Sequence, residues 1–201
     1  RTARSEIVKD VMDYSAAICD REGRMVAQAK TIALHLGAVP EAMQVVLDRY
    51  AETLSEGDAI ILNDPYQGGM HLPDIFMFMP VFFAGELLAF TVVICHHTDV
   101  GGRVPGSITR SNHDIFQEGL RIPPMKLVKK GVLNEDFLRV FMANCRLPEI
   151  NMRDVACMRG ALDVGERRVR DVIAQYGRET FLASQSALKN YSAEKARAVL
   201  R

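Results

Sequence analysis

Apolar and polar positions along the first two thirds of the chain follow the short periods of strands, and those of the last third follow the longer period of helices. Residues 14–18 and 25–29 are apolar-rich runs joined by Asp20-Arg21-Glu22-Gly23, and they predict a β-hairpin. After Pro40 the apolar positions Ala42, Met43, Val46, Leu47 and Tyr50 recur at helical spacing, predicting a helix that ends near Leu54. Residues 59–62 form a short apolar run that leads into the loop NDPYQGGMHLPD. Two longer runs, 75–83 and 87–96, are joined by Ala84-Gly85-Glu86 and predict an antiparallel pair. Residues 98–111 are too rich in Gly, Pro, Ser and Thr for regular structure, and loops of that length usually carry function. Residues 121–128 read as a further strand, with Pro123-Pro124 marking an edge or a bend. Helical periodicity then runs over 135–144, 154–176 and 179–200. The last stretch has little apolar face, so it is expected to fray or to pack on something else. The predicted fold class is α+β: a mixed, largely antiparallel sheet with helices packed against it and a helical C-terminal third. Residues 1–133 form the β-rich region and 134–201 the helical one.

Composition narrows the function classes. With 48% apolar and 25% charged residues, the 201-residue chain has the make-up of a folded globular domain. Lys plus Arg equals Asp plus Glu at 25 each, so no net field draws in nucleic acid or an acidic membrane surface. No apolar run reaches the roughly 18 to 20 residues that cross a bilayer, and RTARSEIVKD has no apolar signal core; a cytoplasmic protein is expected. The four cysteines, Cys19, Cys95, Cys145 and Cys157, form no CxxC pair and read as reduced thiols. The chain opens on Arg1 rather than methionine, and is expected to be a fragment of a longer subunit.

The candidate chemistry lies in two loops. His71 and Asp74 precede one strand, and His96, His97 and Asp99 lie where its antiparallel partner ends, so the two groups should meet in space. Imidazole and carboxylate donors converging in this way suit a divalent Zn, Mn or Fe ion. His35, in LHLGAVP, reads as structural or as a residue that holds a ligand in place, and His113 as a loop residue. Neither a Walker lysine nor GxGxxG is present, so ATP is not expected to bind here. Ser107 lacks the GxSxG elbow of a hydrolase nucleophile.

The ordered series RTA, DYSAAICDREGRMVAQ, HLGAVPEA, GDAIILNDPYQGGMHLPD, HHTDVGGRVPGS, IFQEGLRIPPMKL and NCRLPE resembles the hydantoinase B family from about Arg1 to Tyr176. That family holds the B subunits of ATP-dependent N-methylhydantoinases, the equivalent half of 5-oxoprolinases, and the alpha-type subunits of acetone and acetophenone carboxylases. The resemblance implies an amino-terminal portion of a larger subunit in a hetero-oligomer, whose A-type (hydantoinase A) partner binds ATP and phosphorylates the substrate. It also implies a divalent metal here, with Asp13 of the Asp-aromatic-Ser motif joining His71, His96 and Asp99 as ligands. Asp74 and His97 are then alternates, or catalytic groups that orient an imidazole or act as general base. Asp64 and Tyr66 are expected to order the first loop, and Glu118 and Arg121 to bind the substrate. The implied activity is metal-assisted hydrolysis of an O-phosphorylated cyclic amide. The alternatives are a ketone carboxylase subunit on the same scaffold, and a non-catalytic interaction module whose metal fastens two loops.

Overall fold

The computed structural model describes residue 3 and residues 5–200, so Arg1 and Thr2 of the RTA motif lie outside the described residues. In chain order its elements are α1 (Glu6–Lys9), β1 (Tyr14–Asp20), β2 (Met25–Gln28), α2 (Ala33–Leu36), α3 (Val39–Tyr50), β3 (Ala59–Leu62), β4 (Asp74–Phe83), β5 (Glu86–His96), β6 (Met125–Lys129), β7 (Val132–Leu133), α4 (Glu135–Asn144), α5 (Pro148–Tyr176) and α6 (Arg178–Val199). The strands form one sheet in the order β2-β1-β5-β4-β3-β6-β7, and every neighbouring pair is antiparallel. The expected α+β fold is the one observed.

Alternation along the central strands divides the core between two faces. Phe76, Phe78, Phe90, Val92 and Ile94 pack with Val39, Ala42, Met43 and Val46 of α3. Ile75, Met77, Val93 and Cys95 point the other way, onto Leu138 and Phe141 of α4 and Val155, Met158 and Leu162 of α5. Helices therefore cover both faces, which is why β4 reads as an unbroken apolar run rather than an alternating one. Each fully buried Phe in this interior contributes on the order of 1.5–3 kcal/mol by leaving water.

Two boundaries differ from the sequence expectation for reasons of proline chemistry. β6 begins at Met125 rather than at residue 121, because Pro123 and Pro124 have no N–H to offer the ladder. Helix α5 begins at Pro148 rather than at residue 154, since the first helical turn leaves its N–H groups unpaired and proline costs nothing there. Helix α6 packs through Phe181 and Leu182 against Val169 and Ile173 of α5, while Leu188 and Tyr191 stay exposed. Among the described residues no helix is long and apolar enough to cross a membrane.

The β1–β2 turn is fastened to α6 by the buried carboxylate of Asp20, which contacts Lys189 and the Arg24 side chain and accepts from the amides of Glu22 and Arg24. Burial opposes its charge, but Lys189 and Arg24 together bring its pKa below the ordinary 3.8. A carboxylate depressed in the folded state stabilises above its unfolded pKa, and that contribution disappears as pH falls through the folded one. Urea denaturation should therefore show stability falling below about pH 4 in the wild type. Asp20→Asn should be less stable at neutral pH and flatter through that acid window; parallel pH profiles for the two proteins would refute this.

Candidate metal centre

The sheet places three acidic or imidazole side chains in one row. Asp74 opens β4 and is paired directly with His96, the last residue of β5. On the other side of β5, Tyr14 pairs with Cys95, and the amide of His96 donates to the carbonyl of Asp13 at 3.1 Å. Residues opposite one another across strands share a face, so Asp13, His96 and Asp74 project toward the α2–α3 side. His71 arrives from the β3–β4 loop, whose path is fixed by Asn63. That buried amide donates to the carbonyls of Leu72 at 2.6 Å and Leu120 at 3.0 Å, and accepts from Ile122 N–H at 2.6 Å. The same loop lies so close to α3 that a Cβ on Gly68, at φ 87°, would stand 2.5 Å from the Ala42 Cα. Only glycine fits there.

The donor atoms of His71, Asp74 and His96 lie within 4.8 Å of one another. His71 Nδ1 is 2.9 Å from Asp74 Oδ2 and the two imidazole rings are 5.0 Å apart, edge to face. Beside that contact, Asp74 Oδ1 and His96 Nδ1 are buried with no hydrogen-bond partner. Each such polar atom costs about 1–3 kcal/mol unless something bridges it. Two imidazoles and a carboxylate are a donor set that fits a divalent Zn, Mn or Fe ion. The Asp74 carboxylate raises the pKa of His71, while burial lowers that of His96 and so preserves its lone pair. Beside this group, His35 Nε2 stands 3.2 Å from Asp13 Oδ1 and 3.5 Å from Asp74 Oδ1.

Other candidate residues lie elsewhere. Asp99 is not brought to the group: its carboxylate accepts from the amides of Gly101 (2.8 Å), Gly106 (2.9 Å) and Arg146 (3.2 Å), and from the Arg146 guanidinium at 3.0 Å. Burial works against its charge, but these donors together hold its pKa below the usual value. His97 turns to the opposite face of the sheet, fully buried against the ring of Phe141, with Nδ1 3.1 Å from the carbonyl of Cys95. Burial drives its pKa down to about 4, so it is neutral at pH 7. Asp64 orders its own loop by accepting from Tyr66 N–H at 3.0 Å. The Arg121 guanidinium lies between the exposed rings of Tyr66 and Phe116, at 5.9 and 5.7 Å, and 3.5 Å from Asp64. Glu118 ends the short 3-10 turn Ile115–Gln117 in the same loop region. The residues that sequence reasoning passed over are Asn63 and Arg146, whose only signal was their position beside the chemical motifs.

The model of the family described as hydantoinase B/oxoprolinase matches residues 1–201. The beta subunit of caprolactamase from Pseudomonas jessenii is 37% identical over 201 residues, which is 100% of this chain and 35% of that subunit. A crystal structure of ATP-dependent caprolactamase from the same organism superposes with a TM-score of 0.90 at 38% identity, covering 94% of this chain and 33% of that one. Acetone carboxylase in its nucleotide-free structure shares the fold, with a TM-score of 0.85 at 23% identity over 92% of this chain and 25% of that one. The chain spans about a third of the length of the caprolactamase subunit and a quarter of that of the acetone carboxylase chain. With the family match running over its whole length and these likenesses beside it, the chain belongs to the hydantoinase B/oxoprolinase family.

Proposed function

We propose that this protein is the metal-binding part of an ATP-dependent cyclic amide hydrolase, working on a substrate that an A-type partner subunit has phosphorylated. The single observation that carries the reading is the convergence of His71, Asp74 and His96, with donor atoms within 4.8 Å of one another and with Asp74 Oδ1 and His96 Nδ1 buried and without hydrogen-bond partners. The likeness to a caprolactamase beta subunit supports the choice of substrate class, because a lactam is a cyclic amide, and a relative that is one subunit of an enzyme supports a hetero-oligomer.

His71, Asp74 and His96, with Asp13 beside them, would hold the ion, and a divalent cation there supplies Lewis acidity to polarise oxygen and lower the pKa of water. Phosphorylation of the amide oxygen makes the ring carbon electrophilic; water adds there, the C–N bond breaks as the nitrogen takes up a proton, and a second water hydrolyses the resulting acyl phosphate to the carboxylate and inorganic phosphate. The chain's own residues prepare that encounter. Asp74 orients His71, whose side chain is 39% exposed and so marks the open side of the centre. Asp13, 24% exposed, is the second carboxylate reachable from that side. Arg121, with its aromatic neighbours Tyr66 and Phe116, offers a cation to the polar edge of the substrate.

Reconstitution of the full subunit with its ATP-binding partner tests this. ATP and a lactam should give the ring-opened amino acid without added bicarbonate. Chelation should lower the rate by about a hundredfold or more, and Mn²⁺ or Zn²⁺ should restore it. Turnover that requires a ketone and bicarbonate would replace the hydrolase reading with the carboxylase one.

A further inference from the structure

Asp13 and Asp74 flank the centre from strands that are not neighbours. β5 lies between β1 and β4, so the two backbones are about 9–10 Å apart across the sheet. One side chain spans the gap: His35, on the four-residue α2, puts Nε2 at 3.2 Å from Asp13 and 3.5 Å from Asp74. Its side chain is only 3% exposed, so water cannot take over the contact.

The orientation of that ring is fixed from behind. Ser15 Oγ donates to the carbonyl of Ile32 at 2.7 Å. The same oxygen lies 3.2 Å from His35 Nδ1, so the ring is held on its far edge as well. Nδ1 faces Ser15 and Nε2 faces the carboxylates. Helix α2 has no side-chain cap of its own at Ile32, so this Ser15 bridge also ties the start of α2 to β1.

We propose that His35 is a positioning residue of the centre. Locked by Ser15, it sets the spacing and direction of the Asp13 and Asp74 carboxylates and thereby the affinity for the cation. This rests on the reading of the site as a metal centre.

The test exploits the reach of two amides. Asn at position 35 places its amide nitrogen near the Nδ1 position and can keep the Ser15 contact, whereas Gln places its nitrogen near Nε2 and can keep the carboxylate contacts. Mn²⁺ affinity is measured on the full-length subunit by electron paramagnetic resonance of the free ion, alongside the melting temperature of the metal-free protein. His35→Asn should weaken Mn²⁺ binding by about 10- to 100-fold. His35→Gln should recover much of that loss, and Ser15→Ala, which keeps the ring but frees it, should weaken binding about tenfold. A purely structural histidine would lower the metal-free melting temperature in both variants without separating them in affinity. Wild-type affinity in His35→Asn, or equal losses in Asn and Gln, would overturn the proposal. Failure of the wild type to bind Mn²⁺, Zn²⁺ or Fe²⁺ would instead reject the metal reading itself, and this proposal with it.

Discussion

Asp74→Asn in the assembled enzyme is expected to cut turnover by roughly a thousandfold or more, and to leave the subunit largely free of metal. The substitution keeps the size of the side chain and removes its charge. Asp74 is 1% exposed and stands among three imidazoles, those of His71, His35 and His96. Without that charge the carboxylate of Asp13 is left to balance the cation among neutral donors, and a divalent ion leaving water for that environment is compensated far less. The amide nitrogen of Asn also adds a donor where lone pairs are needed. Metal content by elemental analysis and turnover should fall together, while far-ultraviolet circular dichroism stays that of the wild type. A well-folded Asp74→Asn protein that keeps its metal and its rate would remove the centre from the chemistry.

Much of this site could be read from strand logic. The pairing of Asp74 with His96 follows from two apolar runs joined by a short turn, because antiparallel partners bring the start of one beside the end of the other. Parity decides between neighbours: His96 shares the face of Ile94 and Phe76, so it reaches the centre, and His97, one residue on, falls on the face of Phe141. The fate of His97 was therefore implicit in the alternation. Asp99 lies past the end of β5, where no period constrains direction, and its carboxylate went to the backbone amides of its own loop and to Arg146. For His35 the sequence leaves two readings open, a structural residue or one that holds a ligand in place, for a different reason. It comes from a separate element, and only the packing of α2 on β1 reveals that it spans two carboxylates two strands apart. Long-range partners of this kind leave no local pattern.

Asp99→Ala should show what that carboxylate does, through the largest stability loss expected of any single change near the site. Its two oxygens satisfy the amides of Gly101, Gly106 and Arg146 together with one nitrogen of the guanidinium, and its side chain is 2% exposed. Truncation leaves those donors without an acceptor in a place water hardly reaches, and removes the partner that holds Arg146 against the carbonyls of Gly101, Gly102 and Val104. The Arg146 guanidinium, 39% exposed, can turn to water, whereas leaving a buried donor without its acceptor typically costs about 1–3 kcal/mol. Chemical denaturation of Asp99→Ala should show a loss of that size, and hydrogen exchange should be faster across residues 99–107. If the carboxylate fastens the loop, Mn²⁺ should still bind to the folded variant at one ion per subunit with an affinity within about threefold of wild type. Loss of the ion from a protein of unchanged stability would instead make Asp99 a ligand, and would mean that the loop turns toward His96 when the cation is bound.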